Sequence, residues 1–93
     1  MHYLYIIYSK STDKYYTGET CDMDIRILKH NNHTYKGSFT KIANDWEVKL
    51  LLNCDNKENA KYLEAFIKRM KSKKFIKKVI ENPAILIDIL NKK

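Results

Sequence analysis

Residues 2–20 read HYLYIIYSKSTDKYYTGET, and the way this stretch folds back on itself decides the architecture. His2 to Tyr8 is a run of aromatic and β-branched residues, side chains that suit a pleated, half-buried surface, so it predicts a strand. The next six residues, SKSTDK, are polar and turn-forming. Tyr15 to Thr20, YYTGET, predicts a second short strand, and the two together a β-hairpin with a long loop. Gly18 lies inside that second strand, where glycine marks a bulge or the close approach of another group.

Outward from the hairpin, Asp22 is a good helix N-cap, and the apolar spacing of Met23, Ile25, Ile27 and Leu28 predicts a helix from about Met23 to Asn31. Residues 32–45, NHTYKGSFTKIAND, read as an exposed polar loop. Trp46 to Cys54, WEVKLLLNC, predicts a third strand. Asp55 precedes Glu58 by three in the manner of a capping box, which opens a helix to about Lys71 with Ala60, Leu63, Ile67 and Met70 as its apolar stripe. Ser72 caps a third helix carrying Phe75, Ile76, Val79 and Ile80, and Asn82-Pro83 ends it. The tail AILIDIL predicts a short last helix against the core. The expected class is α+β, a small, mainly antiparallel three-stranded sheet flanked by helices in the order β-β-α-β-α-α, with the whole chain 1–93 as one domain.

The chain has 93 residues, 44% of them hydrophobic and 31% charged, which is ordinary for a globular protein and argues against disorder. Its formal charge is +7, from 18 Lys and Arg against 11 Asp and Glu. A field of that sign gathers polyanions, nucleic acid first and an anionic membrane surface second. Two cysteines, Cys21 and Cys54, are too few for a disulfide scaffold and read as free, mostly buried thiols of a reducing compartment. No apolar run approaches the length of a membrane span, and the first residues lack the pattern of a secretory signal. The expected setting is intracellular, cytoplasmic or nucleoid-associated.

Several residues could carry chemistry. Glu64 follows Ala60 by four and precedes Ile67 by three, so it shares the side of the apolar stripe. Burying an unpaired carboxylate is costly, so it either reaches water at the stripe's edge or faces a cleft and a cation; spacing alone favours the edge. As a ligand it would suit Mg²⁺ or Mn²⁺. Arg26 and His30 share a helix face, with Asp22 four residues before Arg26. They read either as a solvated ion pair beside a surface histidine or as a phosphate-gripping guanidinium beside a proton carrier. Of seven tyrosines, Tyr3, Tyr5, Tyr8, Tyr15 and Tyr16 fall in the hairpin, most of them as amphipathic core residues with hydroxyls at the rim. Lys68 to Lys78 reads KRMKSKKFIKK without an acidic residue. Its Lys68, Arg69, Lys71, Lys73, Lys74, Lys77 and Lys78 point to contact with a phosphate backbone, ahead of a plain solvated face or a membrane-resting helix. Cys21, Cys54, His2, His30 and His33 make no familiar zinc spacing.

Together these features resemble the GIY-YIG endonuclease superfamily, across nearly the whole chain. Tyr3-Leu4-Tyr5 stands where the first motif belongs and Tyr16-Thr17-Gly18 where the second does, eleven residues on from Tyr5. Arg26 and His30 in DIRILKHNN follow, and Glu64 in AKYLEAFIK falls on the later helix. The chain is similar to compact single-domain members related to the amino-terminal nuclease domain found in bacterial excision repair. It departs from the motifs at Tyr3, where glycine is usual, and at Thr17, where isoleucine is.

The resemblance implies a three-stranded antiparallel sheet flanked by helices and hydrolysis of a phosphodiester by water with one divalent metal, Mg²⁺ or Mn²⁺. Carried over, it makes Glu64 the metal ligand and Arg26 the group that steadies the scissile phosphate. Tyr5 and Tyr16 would activate the attacking water, Tyr5 as the favoured general base and His30 as its helper. The products would carry a 5′-phosphate and a 3′-hydroxyl. The expected function is a metal-dependent endonuclease acting on DNA, or on RNA, with little sequence preference, targeted by recognition of a structure or damaged site or by a protein partner. The alternative from another class is a nucleic-acid-binding module on the same fold that does not cleave. A membrane-binding basic protein ranks third.

Overall fold

The computed structural model describes residues 1–32 and 39–93; residues 33–38, which include His33 and belong to the segment expected as a loop, lie outside the described residues. Strand β1 (Tyr3–Ser9) pairs antiparallel with β2 (Lys14–Thr20) on one side and with β3 (Trp46–Asn53) on the other, giving the sheet order β2-β1-β3. The sheet is therefore wholly antiparallel. Helix α1 (Met23–Asn31) follows β2, and α2 (Lys57–Met70), α3 (Lys73–Glu81) and α4 (Ala84–Asn91) follow β3. No described helix is long and apolar enough to cross a membrane.

β1 is central and covered on both faces, which explains its nearly continuous apolar run. Leu4 and Ile6 enter one cluster with Leu50, Leu63, Ile67, Val79 and Leu86 from β3 and the last three helices. Tyr5 and Ile7 point the opposite way, into a cluster with Met23, Ala43 and Trp46. The period-2 alternation of a strand makes this division unavoidable. Each fully buried Leu or Ile contributes about 1.5–3 kcal/mol. The register between β1 and β3 slips between Ile6 and Ile7, so the irregularity lies there and not at Gly18.

The caps set where the helices start. Asp22 accepts from the Ile25 amide at 3.2 Å and Ser72 from the Phe75 amide at 3.0 Å, both as the sequence led us to expect. At α2 the cap is Asn56, which accepts from the Asn59 amide at 2.8 Å, and not Asp55. Asp55 sits one residue too early, at φ 65°, in the reversal that leaves β3. Met70 is half exposed because α2 ends there, with Lys71 turning left-handed at φ 48°. Phe39–Ile42 forms a 3₁₀ turn that the loop expectation missed; Thr40 within it and Ala43 just after it are buried. Cys54 is buried as expected, but Cys21 is exposed, because it lies between β2 and the α1 cap, outside both clusters. Asn31 ties α1 to β3, its Oδ1 accepting from the Trp46 amide at 2.7 Å and its Nδ2 donating to the Trp46 carbonyl at 3.1 Å.

Candidate active site

Tyr5 leaves the middle of β1 with 1% of its surface exposed and reaches across the sheet over its register partner Gly18. A β-carbon at Gly18 would come within 2.5 Å of Tyr5 Cζ, so only glycine lets the phenol pass. Of the two roles the sequence allowed this glycine, the close approach holds. The Tyr5 hydroxyl ends 2.8 Å from His30 Nε2, and His30 Nδ1 lies 2.8 Å from Thr40 Oγ1. With the Nδ1 proton donated to Thr40, Nε2 turns its lone pair to the tyrosine.

His30 is not the surface histidine of the plainer sequence account. It is 2% exposed, and burial, helped by the Arg26 charge one turn away, pushes its pKa down to about 4. It is therefore neutral at physiological pH and able to accept a proton. Arg26 is half-buried on the same face of α1, close enough for His30 to feel its charge. Asp22, expected as a possible partner of Arg26, spends its carboxylate on the helix cap.

Tyr16 stands opposite Ile7 in the β1–β2 register. Its ring centroid lies 6.4 Å from that of Tyr5 and 5.3 Å from that of His30. The Lys68 ammonium sits 4.9 Å above the Tyr16 ring and donates to Glu64 Oε2 at 2.8 Å. Burial alone would lower the Lys68 pKa, but the Glu64 carboxylate and the Tyr16 hydroxyl outweigh it and raise the value, so the ammonium stays charged. Glu64 lies at the edge of the apolar stripe with 23% of its side chain exposed, as the plainer account required.

Tyr5, Tyr16 and His30 thus meet directly, Arg26 acts on His30, and Glu64 joins them through Lys68. Two contributors escaped the sequence reading. Thr40 gave no signal, because it lies in a stretch read as loop. Lys68 was assigned to the basic patch, although its spacing of four from Glu64 already placed the two side by side. The patch itself is divided. Lys73 pairs with Asp13 at 2.7 Å, Arg69 lies 5.4 Å from the Phe66 ring centre, and Lys74, Lys77 and Lys78 line a shallow groove with Glu81.

Among the described residues no group of three or more His, Cys, Asp or Glu is arranged to hold a metal. Glu64 offers one hard, partly exposed carboxylate. That donor fits Mg²⁺ or Mn²⁺, which retain several waters and complete their shell with substrate oxygens, and it does not fit zinc, which needs three or four protein ligands. A family model described as the GIY-YIG catalytic domain matches residues 1–78. Among curated proteins and among solved structures no match is found.

Proposed function

The chain belongs to the GIY-YIG family of nucleases, and on that premise we propose that it is a divalent-metal-dependent endonuclease that hydrolyses DNA with little sequence preference of its own. The observation that carries this reading is the buried hydrogen bond between the Tyr5 hydroxyl and a neutral His30. A tyrosine with an ordinary pKa near 10 is a weak base unless a neighbour takes its proton as it gains another. His30 supplies that outlet. The attacking water gives a proton to the Tyr5 oxygen while the Tyr5 proton passes to Nε2, so no free phenolate is needed.

A histidine held near 4 resists the proton, and the Arg26 charge is the second cause of that resistance. When Arg26 grips the scissile phosphate its charge is offset, and His30 becomes the better acceptor at the moment substrate is bound. Tyr16, beside both partners, orients the water from the other side. Glu64 would hold the metal, displacing Lys68, and the bound ion would offset charge on the phosphate and the leaving oxygen. Lys68 is then released towards the phosphate backbone, alongside Arg69, Lys71, Lys73, Lys74, Lys77 and Lys78. Selection of target comes from DNA structure or from a protein partner.

The test is nicking of supercoiled plasmid with Mg²⁺, with Mn²⁺ and with EDTA, by the wild type and by Glu64→Ala. Cleavage that needs the ion and is lost in the variant supports the reading. DNA binding by both proteins with cleavage by neither would assign the chain to the non-cleaving, nucleic-acid-binding alternative.

A further inference from the structure

Tyr16 and Lys68 also line a cleft of about 500 Å³ between β2 and the junction of α2 with α3. Pockets of ~300–1,000 Å³ hold small organic ligands, so this one is large enough for a single nucleotide. Its wall is Tyr15, Ile67 and Ile76, and four lysines, Lys14, Lys68, Lys71 and Lys73, line it against one carboxylate, Asp13. An aromatic and aliphatic wall beneath a cationic rim is the chemistry that takes a base and its phosphate.

We propose that this cleft is a subsite for one unpaired nucleotide beside the scissile phosphate, so that the substrate is DNA with a flap, loop or single-stranded flank next to the cut. This rests on the nuclease reading above. A base reaches this aromatic and aliphatic wall, beneath the rim of lysines, only by leaving its stack. It would lie against Tyr15 and the two isoleucines, with its phosphate between Lys14 and Lys71. Among the described residues neither of those lysines is ion-paired.

Two features mark the mouth of the cleft. The Tyr8 hydroxyl donates to Asp13 at 2.6 Å, and Lys73 donates to the Asp13 carboxylate at 2.7 Å and its carbonyl at 3.0 Å, lashing the hairpin turn to the start of α3. The pair is exposed, so it borders the mouth without locking it. In addition, α3 begins with Lys73 and Lys74 and has no acidic residue in its first turn. The positive end of a helix dipole disfavours lysine there, and a bound phosphate offsets the conflict. Tyr16 and Lys68 belong to both places, so a nucleotide held here is joined directly to the bond that Tyr5 and Arg26 address.

The test reads binding without metal and without cleavage. Thymidine 5′-monophosphate is titrated in EDTA into the ¹⁵N-labelled protein, with inorganic phosphate as the comparison. Saturable amide shifts at Thr17, Lys71, Ser72 and Ile76, with the nucleotide binding at least about fivefold tighter than phosphate, support the subsite. Equal affinity for the two, or shifts centred on Lys74, Lys77 and Lys78, would overturn it. In parallel, Lys14→Glu/Lys71→Glu is compared with the charge-matched Lys57→Glu/Lys61→Glu on flapped and on fully paired DNA of equal length. Selective loss on flapped DNA by the first variant supports the proposal, and equal losses by both variants on both DNAs refute it. Should plasmid nicking fail while nucleotide shifts persist, the nuclease reading falls and the cleft survives; nicking without the shifts removes the cleft alone.

Discussion

The ring of Tyr5 lies directly over Gly18, so close that a β-carbon there would come within 2.5 Å of Cζ and 2.9 Å of Cε2. Tyr5 is buried and hydrogen-bonded at its far end, so it cannot swing aside without releasing His30. Gly18→Ala is therefore expected to cost about 1–3 kcal/mol in overpacking. Nicking should fall further than that loss explains, because the hydroxyl moves away from Nε2. Urea denaturation and a nicking assay run on the same preparation check both parts, and an unchanged rate would mean that the hydroxyl's position does not govern the reaction.

The line from Tyr5 through His30 to Thr40 separates catalysis from support. Tyr5→Phe keeps the ring and removes the hydroxyl, so it should lower cleavage by roughly 100-fold or more while stability changes by about 1 kcal/mol. Thr40→Val takes the hydroxyl partner away from His30 Nδ1 in a buried place, which costs about 1–3 kcal/mol. Its rate should fall less than that of Tyr5→Phe, because the imidazole still faces the tyrosine. Reversal of that order, measured by nicking rates at saturating Mg²⁺, would make Thr40 the more important group.

Much of this was legible in the chain because local physics and the fold agree. The β1 run could be read as a strand, Asp22 and Ser72 have the cap chemistry their helices use, and Gly18 announced a close approach. Helix spacing placed Arg26 beside His30 and Glu64 at the edge of the apolar stripe, while the roles assigned to them came from the family resemblance. What stayed hidden depends on contacts between distant segments. Nothing in FTKIAND says that Thr40 will turn inward to meet a histidine ten residues back. The burial of His30 likewise comes from β1 and the 3₁₀ turn packing over α1, which its own helix pattern does not reveal. Asp55 misled because aspartate caps well, yet its left-handed backbone places Asn56 at the helix start. The lysine run looked continuous along the chain, but two helices and a left-handed turn spread it over different sides.

Lys68 and the metal compete for one carboxylate, since Lys68 Nζ already holds Glu64 at 2.8 Å. Both side chains are partly exposed, so the pair contributes only about 0.5–1 kcal/mol. Lys68→Met should therefore lower the half-saturating Mn²⁺ concentration by about two- to fivefold. It should also weaken DNA binding at low salt, through loss of one phosphate contact. Titrating Mn²⁺ at fixed, saturating DNA separates the two effects. A rise in the half-saturating concentration would show that the lysine assists the metal site.

The acid limb of stability should belong to His30. Its folded value of about 4 lies below the ordinary 6.5, because burial and the Arg26 charge disfavour the imidazolium. Between those values the unfolded chain binds a proton that the folded chain refuses. Stability is thus complete above about pH 6.5 and falls as pH drops towards 4, by about 3 kcal/mol at most. The Asp13 carboxyl is held below its usual 3.8 by hydrogen bonds from Lys73 and Tyr8, and Asp45 by those from Ser9 and Ser11. Their contributions are present above that value and disappear only at lower pH, which leaves the upper window to the histidine. Urea melts near pH 7 and near pH 4.5 should differ by about 2 kcal/mol in the wild type and by much less in His30→Gln. The comparison rests on the slope with pH, so the general cost of the substitution cancels. Equal slopes in the two proteins would mean that His30 titrates alike in the folded and unfolded chains, so that neither burial nor the Arg26 charge holds the imidazole neutral beside Tyr5.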